Sequence, residues 1–178
     1  ELISLAADRD SAAPALTYGN MTLNYGELQV AVTSFSSGLL SLGIQRGERV
    51  AIYLEKRFET VIASFGAPAA GAVFVPLNPL LKPEQVGYIM RDCNARVLVT
   101  SPERLALLTD TLRQCHDLRH VVVLDSPEPL PTSGPISYSR WSEFLAVPQK
   151  PGHRVIDSDV AGILYTSIRF AMNDLAVP

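Results

Sequence analysis

Thr166 and Ser167 stand at the end of the apolar run Ala161-Gly162-Ile163-Leu164-Tyr165. Adjacent hydroxyls at a strand end are suited to contact a phosphate. A complete phosphate cradle also takes backbone amides freed by glycine and usually a lysine for charge. Ile168 to Pro178 contain neither residue type. The chain therefore reads as residues 1–167 of an unfinished enzyme domain, with residues 168–178 a tail of separate origin, either non-native or joined across a gap. Thr166 and Ser167 are the only residues assigned to ligand binding, and with the rest of the loop missing a plain strand end is the competing reading. No Ser, His and acid set stands out for nucleophilic catalysis, so no catalytic residue is assigned. Cys115, His116 and His120 lie close in sequence, but a zinc site takes about four ligands. A helix end followed by a buried strand accounts for them better, and no metal ligand is assigned. His153, in a polar stretch, reads as solvated.

Composition limits the classes of function. The chain has 178 residues, 47% hydrophobic and 19% charged, which suits one medium globular domain or a piece of a larger one. A net charge of -3 and a pI near 5.6 leave no electrostatic footprint for nucleic acid or an anionic membrane. Cys93 and Cys115 are too few for a disulfide framework and read as reduced core residues, which points to a cytoplasmic protein. No stretch approaches the roughly 18 uninterrupted apolar residues of a spanning helix. The start, Glu1-Leu2-Ile3-Ser4, lacks the basic region of a signal peptide.

The elements that must position Thr166 alternate between two periods. Asn24 with Glu27 has the form of a helix-opening cap, and apolar residues recur at Leu28, Val32, Phe35, Leu39 and Leu42 until Gly43, predicting a helix over 24–42. Capping, not catalysis, is the expected role of Glu27. Arg49 to Leu54 reads as a strand, Glu59 to Ala70 as a helix that Pro68 kinks, and Ala72 to Val75 as a strand ended by Pro76. Gly71 stops the helix. Further along, 82–93 and 102–112 read as helices, 96–100 and 120–124 as buried strands, and 125–135 as a loop rich in Pro and Ser. The segment 138–145 reads as a short helix around Trp141, and 160–166 as the last strand. Alternating strand and helix predict a layered α/β fold with a mostly parallel sheet and flanking helices.

Three segments carry a resemblance: Leu23-Asn24-Tyr25-Gly26-Glu27-Leu28, the run Ala67 to Pro79 containing Gly71-Ala72-Val73-Phe74-Val75-Pro76-Leu77-Asn78-Pro79, and Asp159 to Ser167. In order and spacing, about 45 and then about 90 residues apart, they resemble the adenylate-forming superfamily. That superfamily groups acyl-CoA ligases, the adenylation domains of nonribosomal peptide synthetases and firefly-type luciferases. Leu77-Asn78-Pro79 is closer to the acyl-CoA ligases, because peptide-synthetase domains usually carry Ile-Asp-Pro there.

The resemblance implies the N-terminal portion of an acyl-CoA synthetase-like large domain. It implies an ATP-dependent reaction in which a carboxylic acid becomes an acyl adenylate and coenzyme A then displaces AMP, with Mg²⁺ neutralising the phosphates. Thr166 and Ser167 match the Thr and Ser that contact ATP phosphates in the family. After Ser167 the family's glycine-rich continuation and its lysine are replaced, so this chain is expected to be inactive by itself. Two other readings compete with this one: a peptide-synthetase adenylation domain, and a noncatalytic interaction module whose cut face is covered by a partner or in a homodimer. A dinucleotide-binding fold is disfavoured because no Gly-x-Gly-x-x-Gly follows an early strand.

Overall fold

The computed structural model describes residues 2–125, 127, 129–156 and 158–166. The chain opens with helix α1 (Leu2–Arg9) and a hairpin of β1 (Pro14–Tyr18) and β2 (Met21–Asn24). Neither element is among those expected from sequence. The hairpin turns at Gly19, whose φ of 59° is the positive value that a tight turn favours. Helix α2 (Tyr25–Ser41) then begins with a complete capping box. The Asn24 amide donates to Glu27 Oε2 at 2.9 Å and the Glu27 amide donates to Asn24 Oδ1 at 2.8 Å. Glu27 is thereby engaged in helix initiation, as its spacing from Asn24 predicts.

From there strands and helices alternate: β3 (Arg49–Tyr53), α3 (Phe58–Ala69), β4 (Val73–Pro76), α4 (Pro83–Asp92), β5 (Ala95–Thr100), α5 (Pro102–Leu112) and β6 (His120–Val123). The last two elements are β7 (Ser137–Arg140) and α6 (Trp141–Leu145). The expected helix over 138–145 is thus half strand. β7 pairs with β6, where His120 faces Ser137 and Val122 faces Ser139, and the ladder holds a polar segment that has no strand pattern of its own. Pro68 lies in the last turn of α3, so the bond it removes is near the helix end. Gly71 follows that helix at φ 80°, the left-handed position expected of a residue that stops a helix.

The five strands run parallel in the order β4-β3-β5-β6-β7. The step from β3 to β4 goes one way along the sheet, whereas the steps from β4 to β5 and β5 to β6 go the other way. Right-handed crossovers then require α3 on one face and α4 and α5 on the opposite one. The packing agrees. Val50, Ile52, Val97, Val99 and Val122 pack with residues of α2, α3 and α6, while Ala51, Tyr53, Leu98, Val121 and Val123 pack with α4 and α5. The central strands β3, β5 and β6 are buried on both faces, which explains their uninterrupted apolar sequences. Because β3 and β5 are neighbours whose following helices leave on opposite faces, the sheet has its switch point between them.

Candidate functional site

β4 is the sheet edge on which the last described segment docks. Phe74 forms a parallel bridge with Gly162. Its amide donates to the Ala161 carbonyl at 3.0 Å, and the Ile163 amide donates to the Phe74 carbonyl at 3.0 Å. A Cβ on Gly162 would come within 2.6 Å of the Phe74 ring, so glycine permits this close approach. Further upstream, Arg46 pairs with Asp159, and His153 Nε2 meets the Ile44 carbonyl at 2.9 Å. The Lys150 amide donates to Ser37 Oγ at 3.1 Å. His153 is therefore a tether, not a solvated loop residue, and its Cβ fills the space that a side chain on Gly71 would need.

The expected strand over 160–166 reduces, among the described residues, to this one bridge. Pro76, two residues beyond Phe74 on the same outward side of β4, has no N–H to extend the ladder. Tyr165 instead packs against the α4/α5 face and donates its hydroxyl to Asp92 Oδ2 at the end of α4. Burial and the Asp92 carboxylate raise the Tyr165 pKa and keep the phenol protonated. Thr166 is exposed. Its segment runs parallel to β4 only as far as Ile163, and the Tyr165 contact draws the next residues toward the end of α4. Ser167 and the tail 168–178 lie outside the described residues.

At the carboxyl end of the sheet, where open α/β sheets bind ligands, the switch point between β3 and β5 opens into a cleft of about 480 Å³ whose lining includes Leu54, Arg57, Ser101, Glu103 and Arg104. Its cations are committed. Arg57 pairs with Glu59 at 2.7 Å. Arg104 bonds Glu55 at 3.2 Å and the Pro79 carbonyl at 2.8 Å, and lies 4.5 Å over the Tyr53 ring. A larger cavity of about 710 Å³ lies at the amino end, beside Arg46, Arg49 and Cys93. There Arg49 donates to the carbonyls of Gly47, Cys93 and Asn94, so its charge is also spent on the fold.

The remaining candidates are structural. His120 bonds Ser137 Oγ through Nδ1 at 2.6 Å and Ser139 Oγ through Nε2 at 2.8 Å, which leaves neither ring nitrogen for a metal. Cys93 and Cys115 are free and buried. Burial pushes the Cys93 thiol up to about 11 and raises that of Cys115 as well. Among the described residues no three or more His, Cys, Asp and Glu side chains cluster to hold a metal, and no helix is long and apolar enough to cross a membrane. Toward a triphosphate they offer the Thr166 hydroxyl but no cation beside it. The set does not fit a complete nucleotide–Mg²⁺ site. Sequence reasoning missed the contact between Tyr165 and Asp92. Its one signal is an acid in the last turn of α4, where the helix dipole disfavours it.

A family described as AMP-binding enzyme matches residues 4–167. The chain is 37% identical over 116 residues to a linear gramicidin synthase polypeptide of Brevibacillus parabrevis, an alignment covering 65% of the chain and 1% of that protein. It is 33% identical over 115 residues to a 3-hydroxybenzoate–CoA ligase of Aromatoleum sp., covering 65% of the chain and 22% of the ligase. The crystal structure of coronafacic acid ligase from Pectobacterium brasiliense matches with a TM-score of 0.82 at 20% identity, over 92% of this chain and 32% of that one. At that identity the likeness is one of fold. The chain spans about a third or less of each of these relatives.

Proposed function

The chain belongs to the family of AMP-binding enzymes, and on that premise we propose that it is the N-terminal portion of the large domain of an AMP-forming acyl-CoA ligase. In this reading a carboxylate attacks the α-phosphorus of ATP, pyrophosphate leaves, and the thiol of coenzyme A then displaces AMP from the acyl adenylate. The observation that carries the reading is the family match over residues 4–167, which runs through Thr166 and Ser167. Pairing of Gly162 with Phe74 docks the preceding segment on β4, and the exposed Thr166 is assigned, from its place in the motif, to donate its hydroxyl to a phosphate oxygen. Ser167 is assigned the same role from its place in the motif. A hydrogen bond to a charged oxygen contributes about 1.5–3 kcal/mol, so these two hydroxyls support a nucleotide site that residues outside this chain must complete.

Leu77-Asn78-Pro79 favours the CoA-ligase branch, while the 37% identity to a gramicidin synthase favours an adenylation domain of a peptide synthetase. The two differ in their acceptor thiol. An intact polypeptide carrying this sequence is incubated with ATP, Mg²⁺ and a panel of carboxylic and amino acids, then offered either coenzyme A or a carrier protein bearing a pantetheine thiol. The proposal predicts a thioester of coenzyme A. Transfer of an amino acid to the carrier alone would replace it with the peptide-synthetase reading.

A further inference from the structure

We propose that Pro76 is a positioning residue that ends the pairing of the 161–163 segment and turns Tyr165 and Thr166 off the sheet edge. The inference rests on the reading of Thr166 as a phosphate-contacting residue. Along β4 the backbone groups alternate in direction. Val73 and Leu77 donate inward, to the carbonyls of Glu48 and Ile52 at 2.8 and 2.9 Å. Phe74 bonds outward, through both its amide and its carbonyl, to Ala161 and Ile163. In a parallel ladder the next outward residue lies two further on, and that residue is Pro76. An ordinary residue there would donate to the Ile163 carbonyl and accept from the Tyr165 amide. Proline offers no donor, and among the described residues the pairing stops at Gly162.

A second observation shows where the segment goes instead. The Tyr165 hydroxyl donates to Asp92, the last residue of α4, an end where the helix dipole disfavours a carboxylate and no helix-stabilising reason puts one. The proline denies the segment its path along β4, and Asp92 anchors it over the α4 face. Thr166, the next residue, is then held clear of the β4 backbone with its hydroxyl free for a ligand. Plain protection of an edge strand is the competing role for such a proline. That role requires no change at residues 164–166 when the proline is replaced.

Residue-resolved amide exchange of the 178-residue chain by NMR, without nucleotide, tests the inference whatever Thr166 binds. In the unaltered chain the Ile163 amide, which is bonded, exchanges at least about tenfold more slowly than the Tyr165 amide. In Pro76→Val the new amide at position 76 and the Tyr165 amide both become protected, by about fivefold or more, while global stability in urea changes little. Pro76→Ala restores the N–H with a smaller side chain and gives the same result where valine disturbs packing. Equal protection of Tyr165 and Ile163 in the unaltered chain would overturn the inference. So would Tyr165 exchange that stays unchanged in both variants. Titration with ATP and Mg²⁺ in an intact polypeptide reports separately on the phosphate reading, through the Thr166 amide shift.

Discussion

Gly38→Ala sets two effects of opposite sign against each other. Gly38 lies inside α2, and replacing a helix-interior glycine by alanine ordinarily stabilises by about 1 kcal/mol. Here the added Cβ would sit 2.6 Å from Phe144 Cε1 and 2.7 Å from the Phe144 carbonyl oxygen. The ring could rotate away, but the carbonyl belongs to the backbone of α6, so the helix itself must move. Phe144 is 4% exposed, and its ring meets Phe35 at 5.2 Å between centroids, with Trp141 at 5.3 Å on the same Phe35. Overpacking costs about 1–3 kcal/mol, and giving up part of the burial of a phenylalanine adds a fraction of its full value of about 1.5–3 kcal/mol. The net expectation is a loss of about 1–3 kcal/mol, or roughly 3–10 °C in Tm for a chain of this size. Trp141 is the only tryptophan and lies in α6, so urea unfolding followed by its fluorescence reads both the stability and the local displacement. A red-shifted native emission with a lower midpoint is expected. A variant more stable than the parent, with unchanged emission, would refute the packing of α6 on α2.

Three further outcomes are expected. His120 is held down to about 4 by burial, while the unfolded chain binds that proton near pH 6.5; the unfolded state therefore carries more proton between these values, and stability falls as pH drops from about 6.5 toward 4. The ceiling is about 3 kcal/mol; with the residue still 6% exposed and so partly screened, about 1–2 kcal/mol is expected, and His120→Gln should flatten that slope in urea titrations at stepped pH. A thiol reagent at about pH 8 should modify Cys93 and Cys115 at least about a hundredfold more slowly in the native protein than in denaturant, because both are buried with raised thiol pKa values. Asn24→Ala should lower stability by about 1 kcal/mol by removing the acceptor for the Glu27 amide, and far-UV circular dichroism melts would register it.

Elements that declare themselves locally were legible in the sequence. The capping pair Asn24 and Glu27, proline at the first turns of α4 and α5, and the apolar runs of β3, β5 and β6 each express a physical requirement within a few residues. β7 was hidden because Ser137 to Arg140 is polar, and only the partner strand β6 makes it extended. α1 has no acidic first turn and buries only Ile3 and Ala7, so its pattern is too short to stand out. The hairpin of β1 and β2 carried a usable signal in Gly19-Asn20 between two short runs, but its strands are largely exposed and alternate poorly. Thr166 was read from a motif, and the docking of the segment that leads to it depends on the Gly162 bridge, a contact between residues 88 positions apart. No local pattern encodes such a pairing. The tie of His153 to Ile44 and the Tyr165 contact with Asp92 were invisible for the same reason.

The most direct measurement of the central claim is ATP–pyrophosphate exchange by an intact polypeptide carrying this sequence, alone and as Thr166→Ala, against a panel of carboxylic acids. The account predicts exchange that depends on one class of acid and falls about ten- to a hundredfold in the variant, as expected when a donor to a charged phosphate oxygen is removed. Exchange of the same rate in both proteins would contradict the assignment of Thr166, and no exchange with any acid would contradict the ligase reading itself.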